Sequence, residues 1–155
     1  TIAMKTIKYI LLALMLCLSS NLFAQKSLFD KYSDMDDVTT IYISKNMFRM
    51  MPQGATAGVN ISRIKNKLNS MQIITTEKRS IITALRKDIN AFKSSNRQFS
   101  ELMRIKEGKE STVFLADQRG DLIKNLLMIM DEGDEMTIIQ MLGNFTVQDV
   151  QQITK

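Results

Sequence analysis

Residues 122–132 read LIKNLLMIMDE, and the reading of this run decides the fold. It lies in the second half of the chain, where the apolar residues alternate instead of following a helical period, so it is read as a strand. Such a strand is apolar on both faces, with Leu126, Met128 and Met130 on one side and Leu127 and Ile129 on the other. The run that follows, with Ile138 beside Ile139, behaves in the same way. An antiparallel sheet with helices on one side needs only one apolar face, so the second must meet more of the chain, another subunit or a ligand.

Outward from this run the pattern repeats. FSELMRIKE (99–107), STVFLAD (111–117) and EMTIIQMLG (135–143) are candidate strands, joined by EGKE (107–110), DQRGD (117–121) and EGDE (132–135). Each joint holds a glycine among polar residues and is short enough for a hairpin, which predicts an antiparallel meander. In the first half, VTTIYIS (38–44) and MQIIT (71–75) are β-branched enough to be strands. Leu28, Phe29 and Tyr32 mark a short amphipathic turn before them. Ser44 is a candidate cap for two helical turns over Lys45 to Met51, closed by Pro52, with Gly54 and Gly58 around a loop. Ile61, Ile64 and Leu68 predict a helix from Val59 to about Asn69. A longer helix, capped by Thr76, carries the stripe Ile81, Ile82, Leu85, Ile89 and Phe92 and ends at Ser94, Ser95 and Asn96. A last helix begins at Thr146, with Asp149 at the capping-box position and Val147 and Val150 inward. The expected class is α+β: a mostly antiparallel sheet, made of a C-terminal four-stranded meander plus N-terminal strands, with helices packed mainly on one face.

FDKY, TIYISKNMFRMMP, LNSMQIITTE, SELMRIKEG and IIQMLGNFTVQDV occur in that order. In this the chain resembles the DUF4252 family (domain of unknown function) across residues 25–155. The resemblance implies an exported bacterial protein of the periplasm or cell envelope, linked to envelope signalling. It implies no site, since the motifs are hydrophobic patterns.

The N-terminus agrees with export. Met4, Lys5 and Lys8 precede the apolar run Tyr9 to Leu18, then Ser19, Ser20 and Asn21, and Leu22-Phe23-Ala24 supplies a cleavage site. We therefore expect a signal peptide over residues 1–24, with 1–3 upstream of the initiator Met4, and one domain over 25–155. The run is shorter than the ~20 residues a spanning helix needs, so no transmembrane span is expected after cleavage. Cys17 follows Leu16 and is read as part of the signal and not as a lipid anchor. The expected location is the periplasm or envelope, with release from the cell as the alternative.

Chemistry is constrained by what the sequence lacks. It has no histidine, and its single cysteine falls in the signal peptide. The commonest general base, thiol mechanisms and zinc sites built on either residue are thereby excluded from the domain. No G-x-S-x-G elbow and no phosphate-cradling glycine loop is present, so no catalytic residue, cofactor or metal ligand is assigned. The formal net charge of +5 falls once Lys5 and Lys8 are removed, and the remaining cations are scattered among acids. Nucleic acid is therefore not an expected partner. DMDD (34–37) and DEGDE (131–135) are read as solvated turns because neither has EF-hand spacing, and RGD (119–121) is read as turn chemistry.

SKNMFRMMPQG (44–54) is the most distinctive stretch. Met47, Met50 and Met51 are expected to dock a short helix onto the sheet, leaving Phe48 and Arg49 nearer the rim. Core packing is the first reading of these methionines, an adaptable partner-binding surface the second and copper(I) ligation by thioethers the third. The candidate interaction surface is therefore Met47, Phe48, Arg49, Met50 and Met51, with Met128 and Met130. Its expected occupant is an envelope protein or a second copy of the chain. The expected function is a non-catalytic interaction module, and the alternative is a carrier of a small molecule or lipid, which requires a closed apolar cavity between sheet and helices.

Overall fold

A computed structural model describes residues 27–51, 55–56 and 59–153. The expected signal peptide with Cys17, and the loop residues Pro52, Gly54 and Gly58, lie outside the described residues.

Helix α1 (Leu28–Tyr32) starts in a capping box in which Ser27 and Asp30 exchange side-chain to backbone hydrogen bonds of 3.2 Å. Strand β1 (Thr39–Ser44) runs straight into helix α2 (Lys45–Met50), whose cap is Ser44 as expected, its hydroxyl accepting from the Met47 amide at 3.4 Å. A small ladder pairs β2 (Ala55–Thr56) with β3 (Val59–Asn60). After a 3-10 turn at Lys65–Lys67 come β4 (Leu68–Thr76) and the long helix α3 (Arg79–Ser95). The meander β5 (Phe99–Glu107), β6 (Glu110–Arg119), β7 (Leu122–Asp131) and β8 (Met136–Thr146) leads to α4 (Val147–Ile153).

The main sheet has six strands in the order β1-β4-β8-β7-β6-β5, every neighbouring pair antiparallel. The expected hairpins form. Gly108 and Gly120, at φ 60° and 61°, sit in two-residue turns that need the left-handed region. The fold is α+β, as the sequence predicts, with α1 and α3 on one face of the sheet and the shorter α2 and α4 on the other, where helices were expected mainly on one face.

Two predicted details are corrected. No helix spans 59–69: Asn60 Oδ1 accepts from both the amide and the hydroxyl of Ser62, at 3.2 and 2.6 Å, and this local turn competes with helix formation. Ile61, Ile64 and Leu68 are still buried, so their spacing marked core positions on an irregular path. Thr76 is not the cap of α3. Its hydroxyl donates to Asp37 O at 2.7 Å and accepts from the Lys78 amide at 3.1 Å, which ties the end of β4 to the approach to β1.

Side chains from the two faces of the sheet form two cores. On one face α1 and α3 lay Phe29, Tyr32, Ile82, Leu85 and Ile89 over Ile74, Leu115, Leu127, Ile129 and Ile138. On the other, Phe48 of α2, Ile61 and Ile64, and Val150 and Ile153 of α4 cover Met71, Ile73, Phe114, Leu126, Met128 and Ile139. The second apolar face of β7 is thus met by the chain itself. Full burial of such side chains contributes about 1.5–3 kcal/mol each.

That second layer is pinned by Gly143 and Asp149. A Cβ on Gly143 would lie 2.3 Å from Lys67 O, so β8 passes directly beneath the 3-10 turn only because this residue has no side chain. The same Lys67 donates to both oxygens of Asp149 at 2.8 Å, and Asp149 closes the capping box of α4 with Thr146.

Candidate functional site at strand β1 and helix α2

Among the described residues strand β1 lies at one edge of the sheet, bonded to β4 on one side only. Opposite residues of an antiparallel pair share a face. Ile41 and Ile43 therefore stand with Ile73 and Met71 over the α2 side, and Tyr42 stands with Gln72 on the other. Ile43 is buried, whereas Ile41 is 43% and Tyr42 65% exposed.

Helix α2 turns the expected assignment around. Phe48 is 1% exposed and packs in the core, while Met47 and Met50 are 52% and 79% exposed. The geometry explains this: at about 100° per residue, a helix that points residue 48 inward carries residue 50 about 200° away and residue 47 to the flank. Met51, about 60° from the inward direction, is only partly buried against the same core. The aromatic ring offers the larger apolar surface for a single contact, so it takes the inward position. Arg49 is exposed and donates to Asn46 Oδ1 at 2.9 Å. Met128 is buried at 5% and Met130 packs partly against the same core, both on β7, three strands from β1. Phe48 and Met128 are therefore core residues and not surface, whereas Met47, Met50 and Arg49 face solvent.

The exposed apolar side chains are not evenly spread. Among the described residues seven large ones are exposed, and four of them, Ile41, Tyr42, Met47 and Met50, fall within ten consecutive positions. The edge strand beside them, Thr39 to Ser44, includes no charge, no proline and no bulge, three of the devices that guard a sheet edge against strand pairing. The opposite edge, β5, has a register irregularity between Glu101 and Met103 and carries Glu101, Arg104, Lys106 and Glu107. Arg104 grips Glu101 with two bonds of 2.8 and 2.6 Å, Lys93 adds a third at 3.3 Å, and together they hold its carboxyl down at about 2.

Elsewhere the polar groups act as fasteners. Asp88 on α3 accepts from Lys31 at 2.5 Å and from Tyr32 at 2.6 Å, and these bonds hold its carboxyl below the ordinary range. Burial, then the bond to Asp88, pushes the Tyr32 hydroxyl well up, which makes it a fixed donor and not a base. Asp131 is clamped by Arg86 through two bonds of 2.7 Å, so the DEGDE turn is tied to α3. In DMDD, Asp37 faces Lys78 at 3.8 Å. These long-range pairs carry no local sequence signal and became visible only with the fold. Among the described residues no group of three or more His, Cys, Asp or Glu is placed to hold a metal ion. No helix among them is long and apolar enough to cross a membrane.

A cavity of about 170 Å³ lies between α1, the end of α3 and the sheet, lined by Phe29, Phe92, Phe99 and Leu127 with Asn125 and Gln140. Small-molecule pockets begin near ~300 Å³, so its volume is small for a carrier.

Compared with curated proteins and with solved structures, the chain finds no match. The family model described as "Domain of unknown function (DUF4252)" matches residues 32–153, from the tyrosine that α1 buries to the last residue of α4. On that match, which takes in the whole six-stranded sheet, the chain belongs to the DUF4252 family.

Proposed function

We propose that this protein is an exported, non-catalytic interaction module of the cell envelope, and that it engages its partner through β1 and α2. The observation that carries this reading is the concentration of Ile41, Tyr42, Met47 and Met50 on one continuous segment beside an open sheet edge. The surplus sheet face that first suggested a partner is covered by the chain's own residues and no longer supports the reading. In its place stands a smaller surface of suitable chemistry. Thioether side chains adapt to imprecise fits, and an exposed sheet edge can take an added strand through main-chain hydrogen bonds. Export is supported by the basic, apolar and small-residue sections of residues 4–24.

The test is photocrosslinking in cells from a reactive side chain placed at Tyr42, at Met50 and, as a control, at the exposed Lys106 on the opposite edge. The expected outcome is a discrete adduct in the envelope fraction from Tyr42 and Met50 and none from Lys106. No adduct from the first two, or equal adducts from all three, overturns the reading.

A further inference from the structure

We propose that β1 pairs antiparallel with β1 of a second copy across a two-fold axis, so that the sheet runs unbroken from one copy into the next. This rests on the reading of β1 and α2 as the docking surface and names its occupant.

Three observations point to the chain itself. The first is the asymmetry of the two edges: β5 is guarded by an irregular register and locked charges, whereas β1 presents only Thr, Ile, Tyr and Ser. The second is charge. Asp34, Asp36 and Asp37 stand just before β1, and Lys45 and Arg49 just after it, all of them exposed. Antiparallel pairing sets the beginning of one strand against the end of the other, so a two-fold axis brings acidic and basic ends together twice. Parallel addition would bring like charges together. Any other strand would need this same polarity, and this chain already supplies it, as a self-complementary patch must.

The third is register. Pairings that keep each face continuous are centred on a residue, since a one-residue slip exchanges the faces. Centred on Ile41, the pairing sets the two Ile41 side chains together, Tyr42 opposite Thr40, and Asp37 roughly level with Lys45 of the second copy. The half-exposed Ile41 is then covered on the face that α2 already shields. Met47 and Met50 lie in the first turns beyond the seam and add apolar surface there.

The experiment is sedimentation velocity on the purified protein and on two charge-reversed forms, Asp36→Lys with Asp37→Lys and Lys45→Glu with Arg49→Glu. Alone, each reversed form sets like charges against each other at both ends and should dimerise at least about tenfold more weakly than the unaltered protein. In an equimolar mixture both ends become attractive again, and dimers should return as mixed pairs. Added salt should weaken the unaltered dimer, because exposed charges are screened. Ile41→Lys, at a half-exposed position, should give a folded monomer and guards against misfolding of the double variants. A protein that is monomeric throughout overturns the proposal, and so does a dimer indifferent to these changes. The crosslink from Tyr42 separates the two levels: an adduct of twice the chain mass fits the second copy. An adduct with a different protein removes the dimer and keeps the interaction module, and the absence of any adduct removes both.

Discussion

Asp149 shows how much one side chain holds in this fold. It accepts two bonds from Lys67, one from the Thr146 amide at 2.8 Å and one from the Thr146 hydroxyl at 3.1 Å. Burial raises its pKa, but Lys67 and Thr146 outweigh burial and set it below the ordinary value. A carboxyl depressed in the folded state adds stability that is complete above its unfolded pKa of about 3.9 and is lost as pH falls through the folded value. Asp149→Asn should therefore cost about 1–2 kcal/mol at pH 7 in urea unfolding. The gap to the unaltered protein should close as the pH is taken below about 3.9. A gap that stays constant with pH would show that packing and not charge accounts for the loss. Thr146 and Asp149 could be read from the sequence because the two partners of a capping box stand only three positions apart. Lys67 could not, since it reaches Asp149 only after β8 passes beneath the 3-10 turn at Gly143.

At the scale of the element, α2 separates what periodicity can settle from what it cannot. The helix and its Ser44 cap were legible, and so were the β5 to β8 strands and their turns. The inward face of α2 was not. Six residues make fewer than two turns, and with Met47, Phe48, Met50 and Met51 all apolar, almost any rotation buries something. Tertiary packing decided for the ring. Phe48→Ala should accordingly cost about 3–5 kcal/mol. Met47→Ser with Met50→Ser should stay within about 0.5 kcal/mol of the unaltered protein per site, as surface changes do. Thermal or urea denaturation of the three proteins decides the matter, and a double-methionine variant as unstable as the phenylalanine variant would place those thioethers in the core after all. The segment 59–69 failed for a related reason: positions three and four apart were buried, as predicted, but by a path that a turn at Asn60 had bent away from a helix.

At the scale of the whole molecule, the main sheet has a core on each side, and β4, β6, β7 and β8 feed both. Met71 and Ile73 face one layer and Ile74 the other, and Leu126 and Leu127 divide in the same way. A sheet shared in this manner should unfold as a unit. Phe48→Ala, a change on the α2 side, should speed amide exchange at Leu85 and Ile89 of α3, across the sheet, by the same factor as in β4. Protection of α3 that survives the substitution would mean that the two layers open separately. The two-sided character was legible in LIKNLLMIMDE. What covered the second side was not, because the covering residues, Phe48, Ile61, Ile64, Val150 and Ile153, come from short pieces at both ends of the domain.

The strand order also governs when the fold can be completed. β4 lies between β1 and β8, so one of its two neighbours is the last strand to be made. A chain that emerges N-terminus first can form the β1–β4 pair early, yet residues 77–135 must follow before β8 arrives. Through that interval β4 exposes a bare ladder edge flanked by Ile73 and Ile74, one on each face, which is a state that invites aggregation or a holding chaperone. A chain cut short anywhere before Met136 would leave that edge open for good, so a truncated product of this protein should be cleared or precipitate and not persist as a smaller folded domain.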